Sequence, residues 1–177
     1  MIPESIIIIN IDLQPSLSPV GVDMSICVKD VMVRDVVTVD SEYSVKYAAR
    51  IMSYFNIGSL IALTEGNVVG ILSERDVMTR VVAKGLDPEK VMVSDAMSKP
   101  VIVTGPTMPL EDAVKLMFKR KIKKLPVVVK EKKQSKLIGL LSITDVARLQ
   151  PQMLETIRDL SSMGSQNPEE MVDFYVR

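Results

Sequence analysis

Histidine and tryptophan are absent from this 177-residue chain, and cysteine occurs once. Without histidine there is no Ser-His or Cys-His catalytic pair, and the commonest transition-metal ligand is missing. Cys27 on its own makes neither an intrachain disulfide nor a cysteine-rich zinc site, and it is expected to be buried and inert. Aromatic residues make up only 4% of the chain, which leaves few stacking platforms for a single-stranded nucleic acid. Net charge is lacking too. Lys plus Arg and Asp plus Glu stand at 22 each, so no global field draws the chain to nucleic acid or to an anionic membrane. Any anion site has to come from a local cluster. No apolar run approaches the roughly 20 residues that span a bilayer. The Ile6–Ile9 run is too short, and no basic residue precedes it as a signal peptide requires. These absences point to a cytoplasmic protein without a membrane partner.

What is present is written twice. "GILSERD" (Gly70–Asp76) returns as "GLLSITD" (Gly139–Asp145). At an offset of 65, "VKDVMVRDVVTV" (Val28–Val39) meets "VSDAMSKPVIVT" (Val93–Thr104), and Ala48, Met52, Ile57 and Leu60 meet Ala113, Met117, Ile122 and Leu125. The offset then grows to 69, because "VVKEKKQSKLIG" is longer than "LTEGNVVG". A length change between two apolar runs is what a hairpin loop tolerates. Internal periodicity of this size marks a repeated supersecondary unit.

Each copy reads as β-α-β-β-α. "DVVTV" and "PVIVT" are β-rich. Val45, Ala48, Ala49, Ile51, Met52 and Phe55 have helical spacing, as do Leu110, Ala113, Val114, Leu116 and Met117. "SLIAL" with "VVGIL", and "LPVVV" with "KLIGLL", read as hairpins. A second helix follows each S-x-x-D, the first stopped by Gly85 and the other before Pro151. The expected fold is α/β (α+β), two repeats packed with pseudo-two-fold symmetry. Residues 1-26 are an extension with a strand and a loop, 27-88 the first repeat, 89-150 the second, and 151-177 a helix and tail. A unit of about 60 residues has a small core and gains from a partner.

The S-x-x-D phrase has two readings. Ser73 with Asp76, and Ser142 with Asp145, have the spacing of a capping box that starts a helix. The same geometry offers free N–H groups to an anion, beside a carboxylate able to accept both hydroxyls of a ribose. Recurrence with glycine ahead of it in both copies favours the second reading. The twelve methionines are expected to be mostly soft core filling.

Both copies resemble cystathionine β-synthase (CBS) domains, and the pair resembles a stand-alone Bateman module. The resemblance rests on "VKDVMVRDVVTV", "NIGSLIAL", "GILSERDVMTRVVAKGLDP", "VSDAMSKPVIVT", "KIKKLPVVV" and "GLLSITDVARL", which span Cys27 to Gln150. It implies a regulatory module for adenosine-containing ligands: AMP, ADP, ATP or S-adenosylmethionine. At one corner it implies Asp76 as the ribose residue with Ser73 and Arg75, adenine neighbours Met97, Val101 and Ile102, and a phosphate edge of Ile122, Lys123 and Lys124. At the other it implies Ser142, Thr144 and Asp145, opposed by Met32, Val36, Val37, Ile57, Gly58 and Ser59. "KRKIKK" (Lys119–Lys124) makes the Asp76 corner the expected phosphate site. The same run also suits a solvated helix end, whose cations answer the negative dipole terminus.

No catalytic group, metal or obligatory cofactor is implied, and no motif pairs a nucleophile with a base. The expected ligand is a regulatory adenine nucleotide, and the expected partners are a second copy in a homodimer and a regulated protein. The alternatives are an S-adenosylmethionine sensor, or a nucleic-acid or protein interaction module using "KRKIKK" and "KEKKQSK".

Overall fold

The computed structural model describes residues 8–9, 26–131 and 134–149. The loop expected before Ile26 and the helix and tail expected in 151-177 lie outside the described residues. The elements run β1 (Ile8–Ile9), α1 (Val28–Val31), β2 (Val36–Asp40), α2 (Val45–Phe55), β3 (Ser59–Thr64), β4 (Asn67–Ser73), α3 (Glu74–Arg80), α4 (Val93–Ala96), α5 (Leu110–Lys119), β5 (Lys124–Glu131), β6 (Gln134–Ser142) and α6 (Ile143–Leu149). This is an α+β fold. The chain divides into two compact units. The first holds Arg34–Ile102 with β1 and Val129–Ile138, and the second holds residues 26–33, Val103–Val128 and 139–149.

In the first unit the strand order is β1-β2-β3-β4. β2 and β3 run parallel, with Thr38 opposite Ile61, and α2 is their crossover. β3 and β4 are antiparallel, with Leu60 opposite Leu72. Their two-residue turn is Glu65-Gly66, both at positive φ (50° and 79°), which matches the twist of the strands it joins. β3 is buried on both faces up to Leu63. Val45, Ala48, Ile51 and Met52 of α2 lie against Leu60, Ala62 and Leu72, and Val81, Val93 and Met97 complete this core. Ser44 caps α2, its hydroxyl accepting from the Tyr47 N–H at 3.3 Å. Asn56 ends the helix in the left-handed region at φ 51°, a conformation that asparagine tolerates.

In the second unit Leu110, Ala113, Val114 and Met117 of α5 are buried together with Leu125, Val127 and Leu141. β5 and β6 form a two-stranded sheet.

Three expectations change. "PVIVT" is not a strand: it pairs only at Thr104, parallel to Val127. Thr104 N–H donates to Pro126 O at 2.9 Å, and Val128 N–H to Thr104 O at 2.8 Å. The next rung in this register would need an N–H from residue 126, and proline has none. Ile61 fills that position in the first repeat, so β2 is a full strand there. The second helix of the first repeat does not reach Gly85. α3 ends at Arg80, Val81 turns inward to complete burial, and a separate 3-10 turn (Val82–Lys84) runs to Gly85 at φ 65°. Cys27 is half-buried rather than enclosed.

The compact units do not coincide with the sequence repeats. α4 and the residues to Ile102 precede the second repeat's helix in sequence, yet they belong to the first unit. Val93 N–H donates to Tyr43 O (2.8 Å), Ser94 N–H to Ser41 O (2.9 Å) and Val45 N–H to Val91 O (2.9 Å). Advance every number by 65 or step it back, and the second unit shows the same set: Val28 N–H to Met108 O (3.0 Å), Lys29 N–H to Pro106 O (3.0 Å) and Leu110 N–H to Ile26 O (2.9 Å). Each unit therefore takes its lead-in helix from the other repeat.

Candidate functional site

The lead-in segment reaches the motif strand in both units. In the first, Ile71 N–H donates to Ser98 O (3.2 Å) and Ser98 N–H to Ile71 O (2.8 Å). In the second, Val33 N–H donates to Leu140 O (2.9 Å) and Leu140 N–H to Val33 O (2.8 Å). This approach explains the glycine that precedes each motif. A Cβ on Gly70 would lie 2.3 Å from Met97 Sδ, and one on Gly139 2.5 Å from Met32 Sδ. Met97 and Met32 are both buried. Each motif therefore begins against a methionine carried in from the other repeat's lead-in.

The capping box forms at Ser73, and the Ser142 hydroxyl caps α6. Ser73 is the N-cap of α3, in extended conformation (φ −109°, ψ 161°). Asp76 N–H donates to Ser73 Oγ at 3.2 Å, and the Ser73 N–H and Oγ–H donate to Asp76 Oδ2 at 2.9 and 2.5 Å. Asp76 is 8% exposed. In the second repeat Asp145 N–H donates to Ser142 Oγ at 3.1 Å, and the Ser142 hydroxyl donates to Asp145 Oδ2. The bland reading of S-x-x-D is thus a fact of the structure. It leaves the other carboxylate oxygen, Oδ1, as the atom with chemistry still to assign.

At Asp76 that oxygen is occupied. Ser98 Oγ–H donates to Oδ1 at 3.2 Å, and Arg80 Nη2 stands 3.1 Å from it. Neither Arg80 nor Ser98 was among the expected site residues. Arg80 follows Asp76 by four positions, a helical neighbour relation visible in the sequence, whereas Ser98 is brought there only by the lead-in exchange.

The remaining expected residues fall as follows. With Asp76 and Ser73 in the first unit are buried Met97, half-buried Val101 and Ile102, and exposed Arg75. Val36, Val37, Ile57, Gly58 and Ser59 belong to that unit as well. Glu74 N–H donates to Gly58 O at 3.1 Å, so Gly58 adjoins the start of α3. With Asp145 and Ser142 in the second unit are buried Met32, exposed Thr144, and half-buried Ile122, Lys123 and Lys124. Ile143 N–H donates to Lys123 O at 3.1 Å. The two lysines expected beside Asp76 therefore belong to the unit of Asp145, with Lys123 adjoining the start of α6.

Among the described residues no group of histidine, cysteine, aspartate and glutamate is placed to hold a metal ion. Among them, too, no helix is long and apolar enough to cross a membrane.

Two motif strands, each met by the other repeat's lead-in, make this a tandem α+β repeat module. The chain belongs to the CBS-domain family, whose model matches residues 28–83 and 93–151. It is 35% identical over 120 residues to the CBS domain-containing protein YhcV of Bacillus subtilis, covering 68% of this chain and 82% of that one. Among solved structures it is similar to the CBS domain pair of protein MJ0100 in complex with 5-methylthioadenosine and S-adenosyl-L-methionine (TM-score 0.63, 26% identity, 72% of this chain and 97% of that one). It is also similar to a hexameric CBS-CP12 protein from bloom-forming cyanobacteria (TM-score 0.64, 27% identity, 75% of each chain).

Proposed function

We propose that this chain is a non-catalytic regulatory module that binds an adenosine-containing ligand, with AMP, ADP and ATP as first candidates. The observation that carries the reading is Asp145. Its Oδ2 is held by Ser142, which fixes the carboxylate, and Lys123 and Lys124 stand in the same unit with the Lys123 backbone bonded to the start of the aspartate's helix. A fixed carboxylate suits ribose hydroxyls, and lysines carried by the same unit are the candidates to meet phosphates. The complex of MJ0100 with two adenosyl compounds supports the adenosine half of the reading, and it makes S-adenosylmethionine the ligand to compare with nucleotides.

The test is calorimetric titration of stripped protein with adenosine, AMP, ATP and S-adenosylmethionine at two salt concentrations. Affinity is expected to rise from adenosine to ATP and to fall with salt, because the phosphates meet lysines. Asp145→Ala is expected to weaken AMP about tenfold, some 1.5 kcal/mol, through loss of hydrogen bonds to a charged acceptor. An unchanged affinity in the folded variant rejects the assignment. A preference for S-adenosylmethionine, indifferent to salt, moves the reading to the sulfonium ligand.

The module is also proposed to act as a homodimer. Tyr54 (65% exposed) on α2 and Met78 (57%) on α3 leave apolar surface outside the first unit's core. Light scattering at tens of micromolar is expected to give twice the 19.6 kDa chain mass. A mass of one chain excludes the dimer.

A further inference from the structure

Resting on the proposed adenosine reading, we infer that Arg80 makes the two repeats unequal as ligand sites. It closes Asp76 into an internal clamp that a ribose has to open, whereas Asp145 receives a ribose directly.

A carboxylate offers about four lone-pair positions. Around Asp76 three hydrogen bonds and an ion pair stand in place: Ser73 N–H and Oγ–H donate to Oδ2, Ser98 Oγ–H donates to Oδ1, and Arg80 Nη2 pairs with Oδ1. Arg80 does more than neutralise the acid. Its Nη1 donates to Ala96 O (2.8 Å) and to Met97 O (2.7 Å), and its Nη2 donates to Ser98 Oγ (2.9 Å). The guanidinium thus ties the acid of α3 to three consecutive residues of the lead-in segment, using the fork geometry that lysine lacks. A ribose diol brings two donors. To place both on Asp76 it must take Oδ1 from Ser98 and Arg80.

The second repeat is the control that the sequence itself supplies. The lead-in pairs with the motif strand in the same way, through Val33 and Leu140 in place of Ser98 and Ile71. The methionine meets the glycine in the same way. The residues equivalent to Arg80 and Ser98 are Leu149 and Val33, and neither side chain can donate a hydrogen bond. With the lead-in pairing and the methionine contact shared, these side chains separate the two sites among the described residues. Occupation of Asp76 then has a structural consequence that occupation of Asp145 lacks: it loosens the hold on residues 96–98, the strand-paired start of the connection into the second repeat.

The test uses the full chain, with AMP and adenosine as probes, in four forms: wild type, Arg80→Leu with Ser98→Val, the milder Ser98→Ala, and Arg80→Lys. Calorimetry on wild type is expected to show two sites differing about tenfold or more, the weaker one removed by Asp76→Ala, as one displaced charge-assisted hydrogen bond implies. The double variant copies the second repeat and is expected to bring the two affinities together, with Ser98→Ala moving part of the way. Arg80→Lys keeps the charge without the fork and is expected to side with the double variant. Amide hydrogen exchange at Ser98, followed in Arg80→Lys where the serine is kept, gives a readout that needs no ligand. It is expected to accelerate in Arg80→Lys, and in wild type only once the weaker site fills. Inequality that survives the double variant, or loss of the weaker site in it, overturns the inference, the latter by making Arg80 a ligand contact. Unchanged Ser98 exchange in ligand-free Arg80→Lys also overturns it, even if both sites bind. If neither probe binds wild type, the adenosine reading fails and the ligand-opened clamp fails with it. Accelerated Ser98 exchange would then identify the ligand, rather than the clamp, as the point of failure.

Discussion

Leu72→Ala is expected to destabilise the protein by about 2–5 kcal/mol, the range for emptying a buried leucine site. Leu72 is fully buried in β4, lies opposite Leu60 across the hairpin, and belongs to the core cluster shared with α2 and the lead-in residues Val93 and Met97. That position makes the site hard to collapse, because two strands, a helix and the lead-in all line the space left behind. Chemical denaturation is the measurement: the midpoint should fall with little change in slope. Leu86→Ala is the control. Leu86 is 45% exposed, and its truncation is expected to stay within about 0.5 kcal/mol. Similar shifts for the two variants would contradict the placement of the core.

Gly70→Val is expected to cost about 3 kcal/mol through overpacking. The added Cβ would stand 2.3 Å from Met97 Sδ, 2.8 Å from its Cγ and 3.1 Å from the Ser98 carbonyl oxygen. The methionine has no room to swing away, being buried, and the carbonyl is held by the pairing of Ser98 with Ile71. The partner of this strain is named, so a double-mutant cycle tests it. Met97→Ala opens a cavity in the wild-type background but makes room in the Gly70→Val background. The pair should therefore fall short of the sum of the singles by more than about 1 kcal/mol. Strict additivity would mean that Gly70 serves its own backbone and not the approach of the lead-in.

The repeat was legible because its markers are spaced by rigid elements: offsets of 65 and 69 frame two hairpins of unequal loop length, and the apolar faces of α2 and α5 are long enough to show a helical period. The serine caps were legible because serine and aspartate act over one turn. Three features were not. α1 and α4 are four residues each, too short for any period to register. The missing rung at Pro126 depends on the register with Thr104, which no local signal sets. The clamp joins Asp76 to a helical neighbour, Arg80, and to Ser98, which lies 22 positions from the aspartate. The sequence contains the first relation openly, but the lead-in exchange creates the second.

The lead-in exchange bears on how such a chain can arise and how it can be cut. A fragment ending in the segment 85–92 would hold the first motif and Gly70 but not the Met97 that packs on it. It would be left with an open groove beside β4, and a second molecule could fill that groove only by lending its own α1 and Met32. A one-repeat ancestor would then be a mutual, arm-swapping pair whose integrity depends on its concentration. Fusing two copies in tandem makes the same swap internal, at an effective concentration set by the tether and independent of dilution. Once fused, the two arms no longer need to be identical, and Arg80 facing Ser98 in one unit while Leu149 and Val33 stand in the other is the kind of divergence that fusion permits.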